Sequence, residues 1–162
     1  MNVNLFSHTM EESGLNLLEQ IAYVARVSNP ANQHNHDTAE KLVNYLIKHK
    51  HWSPLEMVEA TLEIETTRDI ARQILRHRSF VFQEFSQRYA QATDLEPIEW
   101  RKQGKTNRQV GDEAVTLPSH LQYAIDEAQR NTKAIYDQLI NEGIAKETAR
   151  MILPLNTQTT IY

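Results

Sequence analysis

Cysteine is missing from all 162 residues of this chain. Its absence excludes disulfides, thiolate metal sites and a cysteine nucleophile, and it suits a reducing, cytoplasmic setting. Long apolar runs are missing too, since no stretch approaches the roughly 20 residues needed to span a bilayer. The N-terminus, MNVNLFSHTM, lacks both the basic leader and the apolar segment that direct export. Nor is there a surplus of positive charge. The formal net charge of −4 argues against a nucleic-acid-binding protein by bulk electrostatics. What remains is the composition of one soluble domain, 40% hydrophobic and 23% charged, in a chain long enough for a real core.

Within this acidic chain the arginines are concentrated. Residues 68–88 hold five of them against only Asp69 and Glu84. The segment 76–89, RHRSFVFQEFSQRY, joins three arginines, a histidine, the carboxylate of Glu84, the hydroxyl of Ser86 and four aromatic rings. Arginine grips phosphate and carboxylate through paired hydrogen bonds, while aromatic side chains suit a flat ring. A local basic patch of this size fits a small anion better than a polymer. The segment therefore predicts a site for a planar, phosphorylated small molecule.

Residues 2–6 predict a short strand. Apolar spacing predicts a helix over 15–27, with Leu17, Leu18, Ile21, Val24 and Ala25 on one stripe, stopped by Ser28-Asn29-Pro30. Asp37 is placed to cap a second helix over 37–50. Ser53, Pro54 and Glu56 have the spacing of a capping box, and 58–65 (VEATLEIE) alternates as a half-buried strand. Thr66 or Thr67 is expected to cap a helix over 68–76 that puts Gln73 and Arg76 on one face. Residues 93–116 predict a flexible surface excursion. A long helix over 119–141 follows, burying Leu121, Ala124, Ile125, Ala128, Ile135, Leu139 and Ile140, with Gly143 as its stop. A last helix is expected over 145–152. The fold class expected is α/β, a single domain of helices packed on a small mixed sheet spanning residues 1–162.

His34, His36, His49 and His51 raise the question of a metal. Spacing places no third ligand beside either pair, so solvated or cap-forming histidines are the expectation, and no metal is predicted.

Arg76-His77-Arg78 followed after seven residues by Ser86 resembles the signature of the flavin-dependent thymidylate synthases, the ThyX family. Three further stretches are similar to that family in order: ARVS at 25–28, HWSPLE at 51–56 and ARMILP at 149–154. The resemblance implies FAD held by Arg76, His77, Arg78 and Glu84, with Ser28, His51 and Ser53 around it. It implies dUMP bound by Gln73, Arg76, Glu84, Phe85, Ser86, Gln87, Arg88 and Arg150. It further implies methylation of dUMP to dTMP, with the methylene from 5,10-methylenetetrahydrofolate and a flavin reduced by NADPH, in a homotetramer of ThyX-like fold. No catalytic nucleophile is required. The chain departs from the family pattern at Val81, Gln83 and Gln87, where serine, asparagine and glycine are common. The pattern also continues past 149–154 into a segment bearing a pyrimidine-directed arginine, whereas this sequence stops at Tyr162. Two alternatives stay open: an FAD- and dUMP-binding fragment without turnover, and a nucleic-acid-binding module using the basic segment.

Overall fold

The computed structural model of the chain describes residues 1–91 and 93–162. Among these residues the contacts gather into two compact units, Val3–Glu63 and Ile64–Tyr162, the latter together with Met1–Asn2.

The first unit is built around helices α1 (Leu17–Ala25) and α2 (Ala39–Lys48), preceded by strand β1 (Asn2–His8) and followed by the start of strand β2 (Ala60–Thr67). Ile21 of α1 is buried with Val43 and Leu46 of α2, and Ala25, Leu42, Leu55 and Val58 close over them. Leu18, expected on the same stripe, is exposed. α1 begins at a capping box that the sequence reading did not single out. The Asn16 side chain accepts from the Glu19 amide at 3.1 Å, and the Glu19 carboxylate accepts from the Asn16 amide at 2.9 Å. Such a cap stabilises a helix by about 1 kcal/mol.

Neither of the two caps predicted in this unit is made. α2 starts after Thr38 with no side-chain cap, because the Thr38 hydroxyl accepts from the Arg26 guanidinium at 2.7 Å instead. Residues Ser53–Met57 form a 3-10 turn with Trp52 at its N-cap and no side-chain cap bond. The tighter winding shows in the Leu55 amide, which donates to the Trp52 carbonyl at 2.9 Å. Arg26 is buried and also donates to the Asn35 carbonyl, stapling the polar loop 31–36 to the end of α1.

In the second unit, β2 pairs antiparallel with β5 (Gln158–Ile161), from Ile64 opposite Ile161 to Thr67 opposite Gln158. β2 runs directly into α3 (Arg68–Ile74), with Thr67 at the N-cap position but without the expected side-chain cap, its hydroxyl donating to the Asp69 carboxylate instead. The first two amides of α3 are satisfied from outside the helix. Arg68 donates to the Thr157 carbonyl at 3.0 Å and Asp69 to the Leu155 carbonyl at 3.1 Å. The other edge of β5 takes residues 83–85. Gln83 and Tyr162 exchange backbone bonds of 3.0 and 2.9 Å, and the Phe85 amide donates to the Thr160 carbonyl at 2.9 Å.

Residues 93–116 carry an antiparallel hairpin, β3 (Arg101–Gln103) and β4 (Gly111–Ala114), almost wholly exposed. At its turn a Cβ on Gly104 would stand 2.6 Å from the Asn107 carbonyl oxygen, so this close backbone approach requires glycine.

Helix α4 (Ser119–Asn141) has the predicted bounds and is followed by Gly143 at a φ of 81°. The last predicted helix is instead a short α5 (Lys146–Ala149) ending in a 3-10 turn, Arg150–Ile152. The stripe expected to be buried on α4 is not. Leu121, Ala124, Ala128 and Ile135 are exposed, Ile125, Leu139 and Ile140 are half-buried, and Tyr136 alone is fully buried. Among the described residues, the named elements that pack against α4 are only the short α5 and the following 3-10 turn, and its earlier turns border the irregular residues 94–100, with Lys133 paired to Asp94 at 3.8 Å. The architecture is thus five helices with small antiparallel sheets, and among the described residues no helix is long and apolar enough to cross a membrane.

Candidate functional site

The basic segment leaves α3 at its C-terminus, where the amides of Arg76 and His77 still donate back to Gln73 and Ile74, at 3.3 and 3.0 Å. Gln73, Arg76, His77 and Arg78 are all exposed. Among the described residues no carboxylate pairs with Arg76 or Arg78. The His77 ring stacks on Phe80, with centroids 4.3 Å apart and planes inclined by 23°. Its Nδ1 accepts from the Ser79 amide at 3.4 Å, a bond that assigns the ring proton to Nε2. Phe80 and Val81 are both exposed. The arrangement is two exposed arginines on either side of His77 in sequence, with the His77 ring stacked on Phe80.

The chain then becomes extended at 83–85, and alternation along this strand separates its side chains. Glu84 lies opposite Ile161 and accepts from the Thr159 hydroxyl at 3.2 Å, on the side where Thr66, Thr159 and Ile161 are buried. Phe85 points to the other side and lines a cavity of about 400 Å³ with Glu65, Asp94, Glu96 and Gln158. That cavity is acid-lined. Of the predicted site residues it includes only Phe85, and its charge is wrong for a phosphate.

Residues 86–90 form one helical turn, in which the Tyr89 and Ala90 amides both donate to the Ser86 carbonyl at 3.0 Å. Ser86 and Arg88 face outward, whereas Gln87 is 2% exposed and its amide oxygen accepts from the Arg68 guanidinium. On the outer side α5 holds the same turn. Lys146 donates to the Tyr89 carbonyl at 3.1 Å, and Arg88 stands 3.7 Å from the Glu147 carboxylate. Arg150 donates from Nε to the Glu147 carbonyl at 3.2 Å. Burial lowers the pKa of Arg68, the Glu84 carboxylate raises it, and the charges of Arg72 and Arg150 lower it again. Arg68, Arg72, Glu84 and Arg150 are therefore electrostatic neighbours.

Of the predicted residues, Arg76, His77, Arg78, Gln73, Glu84, Phe85, Ser86, Gln87, Arg88 and Arg150 all belong to the second unit. Ser28, His51 and Ser53 belong to the first. Ser28 is exposed just beyond α1, and Ser53 opens the 3-10 turn. His51 is set by the end of α2: Lys50 takes a φ of 58° and the His51 amide donates to the Leu46 carbonyl at 2.9 Å. Its ring lies 6.2 Å from those of Tyr45 and His49. Among the described residues no group of three or more histidine, aspartate or glutamate side chains is placed to hold a metal ion.

Sequence reasoning missed Arg68, Lys146 and Glu147. The last two lie four and three residues before Arg150, and helical spacing could have flagged them. Arg68 carried no such signal, because its partner is 19 residues away.

Residues 7–162 match the profile of a family described as thymidylate synthase complementing protein. A probable flavin-dependent thymidylate synthase of Paramecium bursaria Chlorella virus 1 is 48% identical over 153 residues, covering 92% of this chain and 71% of that protein. The flavin-dependent thymidylate synthase of Synechocystis is 49% identical over 144 residues, covering 88% of this chain and 66% of that protein. Among solved structures, a UMP/dUMP methylase, PolB from Streptomyces cacaoi, bound with 5-Br dUMP, superposes with a TM-score of 0.78 at 23% identity. That match covers 99% of this chain and 70% of PolB, a likeness of fold.

Proposed function

The chain belongs to the thymidylate synthase complementing protein family, and from that premise we propose that it is a flavin-dependent thymidylate synthase, an enzyme that methylates dUMP to dTMP. The one-carbon unit comes from 5,10-methylenetetrahydrofolate, and FAD, kept reduced by NADPH, supplies the hydride. The working form is a cytoplasmic homotetramer.

The observation that carries this reading is the pairing of two anion-binding elements on one short segment. The first is the exposed Arg76-His77-Arg78 with the His77–Phe80 stack, and the second is the outward Ser86 and Arg88 of the following turn. Unpaired guanidinium groups beside an aromatic face fit the pyrophosphate and flat rings of FAD. Arg76, His77, Arg78 and Glu84 are assigned to that cofactor, and the family pattern adds Ser28, His51 and Ser53. The nucleotide falls to Gln73, Arg76, Glu84, Phe85, Ser86, Gln87, Arg88 and Arg150. Arg88 and Arg150 neutralise its phosphate. The competing Arg88–Glu147 pair is long and exposed, worth at most about 1 kcal/mol, so a dianionic phosphate displaces it. The protein's own contribution is orientation and charge compensation, without an enzyme nucleophile.

The test is release of tritium from 5-tritiated dUMP when FAD, NADPH and methylenetetrahydrofolate are supplied. The purified protein is expected to be yellow, and Arg78→Ala to lose the colour. Flavin binding that survives this substitution unchanged sinks the cofactor assignment. A yellow, dUMP-binding protein that releases no tritium is instead an FAD- and dUMP-binding fragment of the family.

A further inference from the structure

Among the five arginines of residues 68–88, Arg68 alone is not exposed. It is the first residue of α3, and its backbone is fixed there by the bond from its amide to the Thr157 carbonyl. Its side chain turns inward, and Nη1 donates to the side-chain oxygen of Gln87. Placing a guanidinium in this partly desolvated position beside Arg72 and Arg150 opposes its charge, and Glu84 offsets only part of that. Burial of a charge at a cost to the fold asks what the contact does.

The answer lies in the geometry of the turn 86–90. Its central residue, Gln87, points in and its neighbours Ser86 and Arg88 point out. A turn of one helical revolution has few bonds of its own, and here two amides share the Ser86 carbonyl. Fixing the Gln87 side chain therefore fixes the direction in which Ser86 and Arg88 are presented. A glycine at this position would leave the guanidinium without a partner, whereas the long amide of glutamine reaches it.

We propose that Arg68 is a positioning residue which, by holding Gln87, fixes the turn that presents Ser86 and Arg88 to the nucleotide phosphate. The proposal rests on the nucleotide site assigned above, and it adds a residue that does not itself touch the ligand.

The test uses the FAD-loaded protein and measures dUMP affinity by calorimetry, with flavin content read from absorbance. Arg68→Met and Gln87→Met are each expected to raise the Kd for dUMP on the order of tenfold to hundredfold, the range seen when a ligand-binding group is misplaced. Flavin content stays at the parent level. The double variant is expected to be no worse than the more affected single, because both changes break one contact. Arg68→Lys, which keeps the charge and one reaching donor, recovers part of the affinity. Unchanged affinity in both singles, additive losses in the double, or flavin lost in step with dUMP overturns the proposal. If Arg68→Met does not fold, Arg68→Gln is measured in its place by the same readings. A parent protein that binds no dUMP overturns the nucleotide site itself and this inference with it.

Discussion

Arg88 is the residue on which the nucleotide assignment is most exposed to test. Its guanidinium is solvent-accessible and, among the described residues, its ion-pair partner Glu147 is at the loose distance of 3.7 Å, so the fold scarcely depends on it. Arg88→Ala is expected to leave global stability within about 0.5 kcal/mol. It should weaken dUMP binding by about 2–4 kcal/mol, the cost of losing a charge-assisted phosphate contact. Titration of dUMP by calorimetry, beside a denaturant melt, separates the two effects. Residue types in this segment carry the expectation of its chemistry, since arginine, serine and aromatic rings at fixed spacing suit an anionic planar ligand. Which way each side chain turns is not announced. Gln87 sits between two outward residues and is buried only because Arg68, far off in sequence, supplies a donor there.

α4 shows the same division at the level of an element. Its bounds were legible from the apolar spacing and from Gly143, whose φ of 81° ends the helix. Its buried face was not, because periodicity says which positions share a side and not whether this chain covers them. The same holds for caps: Ser53 and Asp37 had the right spacing, but winding and Arg26 claimed their helices otherwise, while Asn16–Glu19 closed a box unnoticed. β5 (QTTI) and the hairpin strands (RKQ and GDEA) escaped because such short polar or charged strands lack the apolar alternation that marks a half-buried strand. Tyr136 is the buried anchor of α4, at 1% exposure. Burial raises its phenol pKa, with the Asp137 carboxylate adding to the effect. A folded pKa above the unfolded value means that the unfolded chain releases this proton first. The contribution is therefore fully present below about pH 10 and is lost as pH rises through the folded value. Unfolding by denaturant at pH 8 and pH 11 should show a steeper alkaline loss in the parent than in Tyr136→Phe; equal slopes would exclude Tyr136 as the source.

Large apolar side chains stand in solvent on two elements of the chain. Leu121, Tyr123 and Ile135 on α4 and Val3, Leu5 and Phe6 on β1 are all exposed. The homotetramer proposed above is the expected cover for them. Sedimentation equilibrium should then give a mass about four times 18.8 kDa, and a concentration-independent monomer would refute that state. One further consequence concerns timing. β5 lies between β2 and the strand 83–85, and the carbonyls just before it hold the first amides of α3. During synthesis, therefore, the arginine-bearing helix and the turn of Ser86 and Arg88 emerge long before their central strand exists. Pairings this distant in sequence form late and slowly. The face proposed to bind the nucleotide is therefore completed only once β5 has been made.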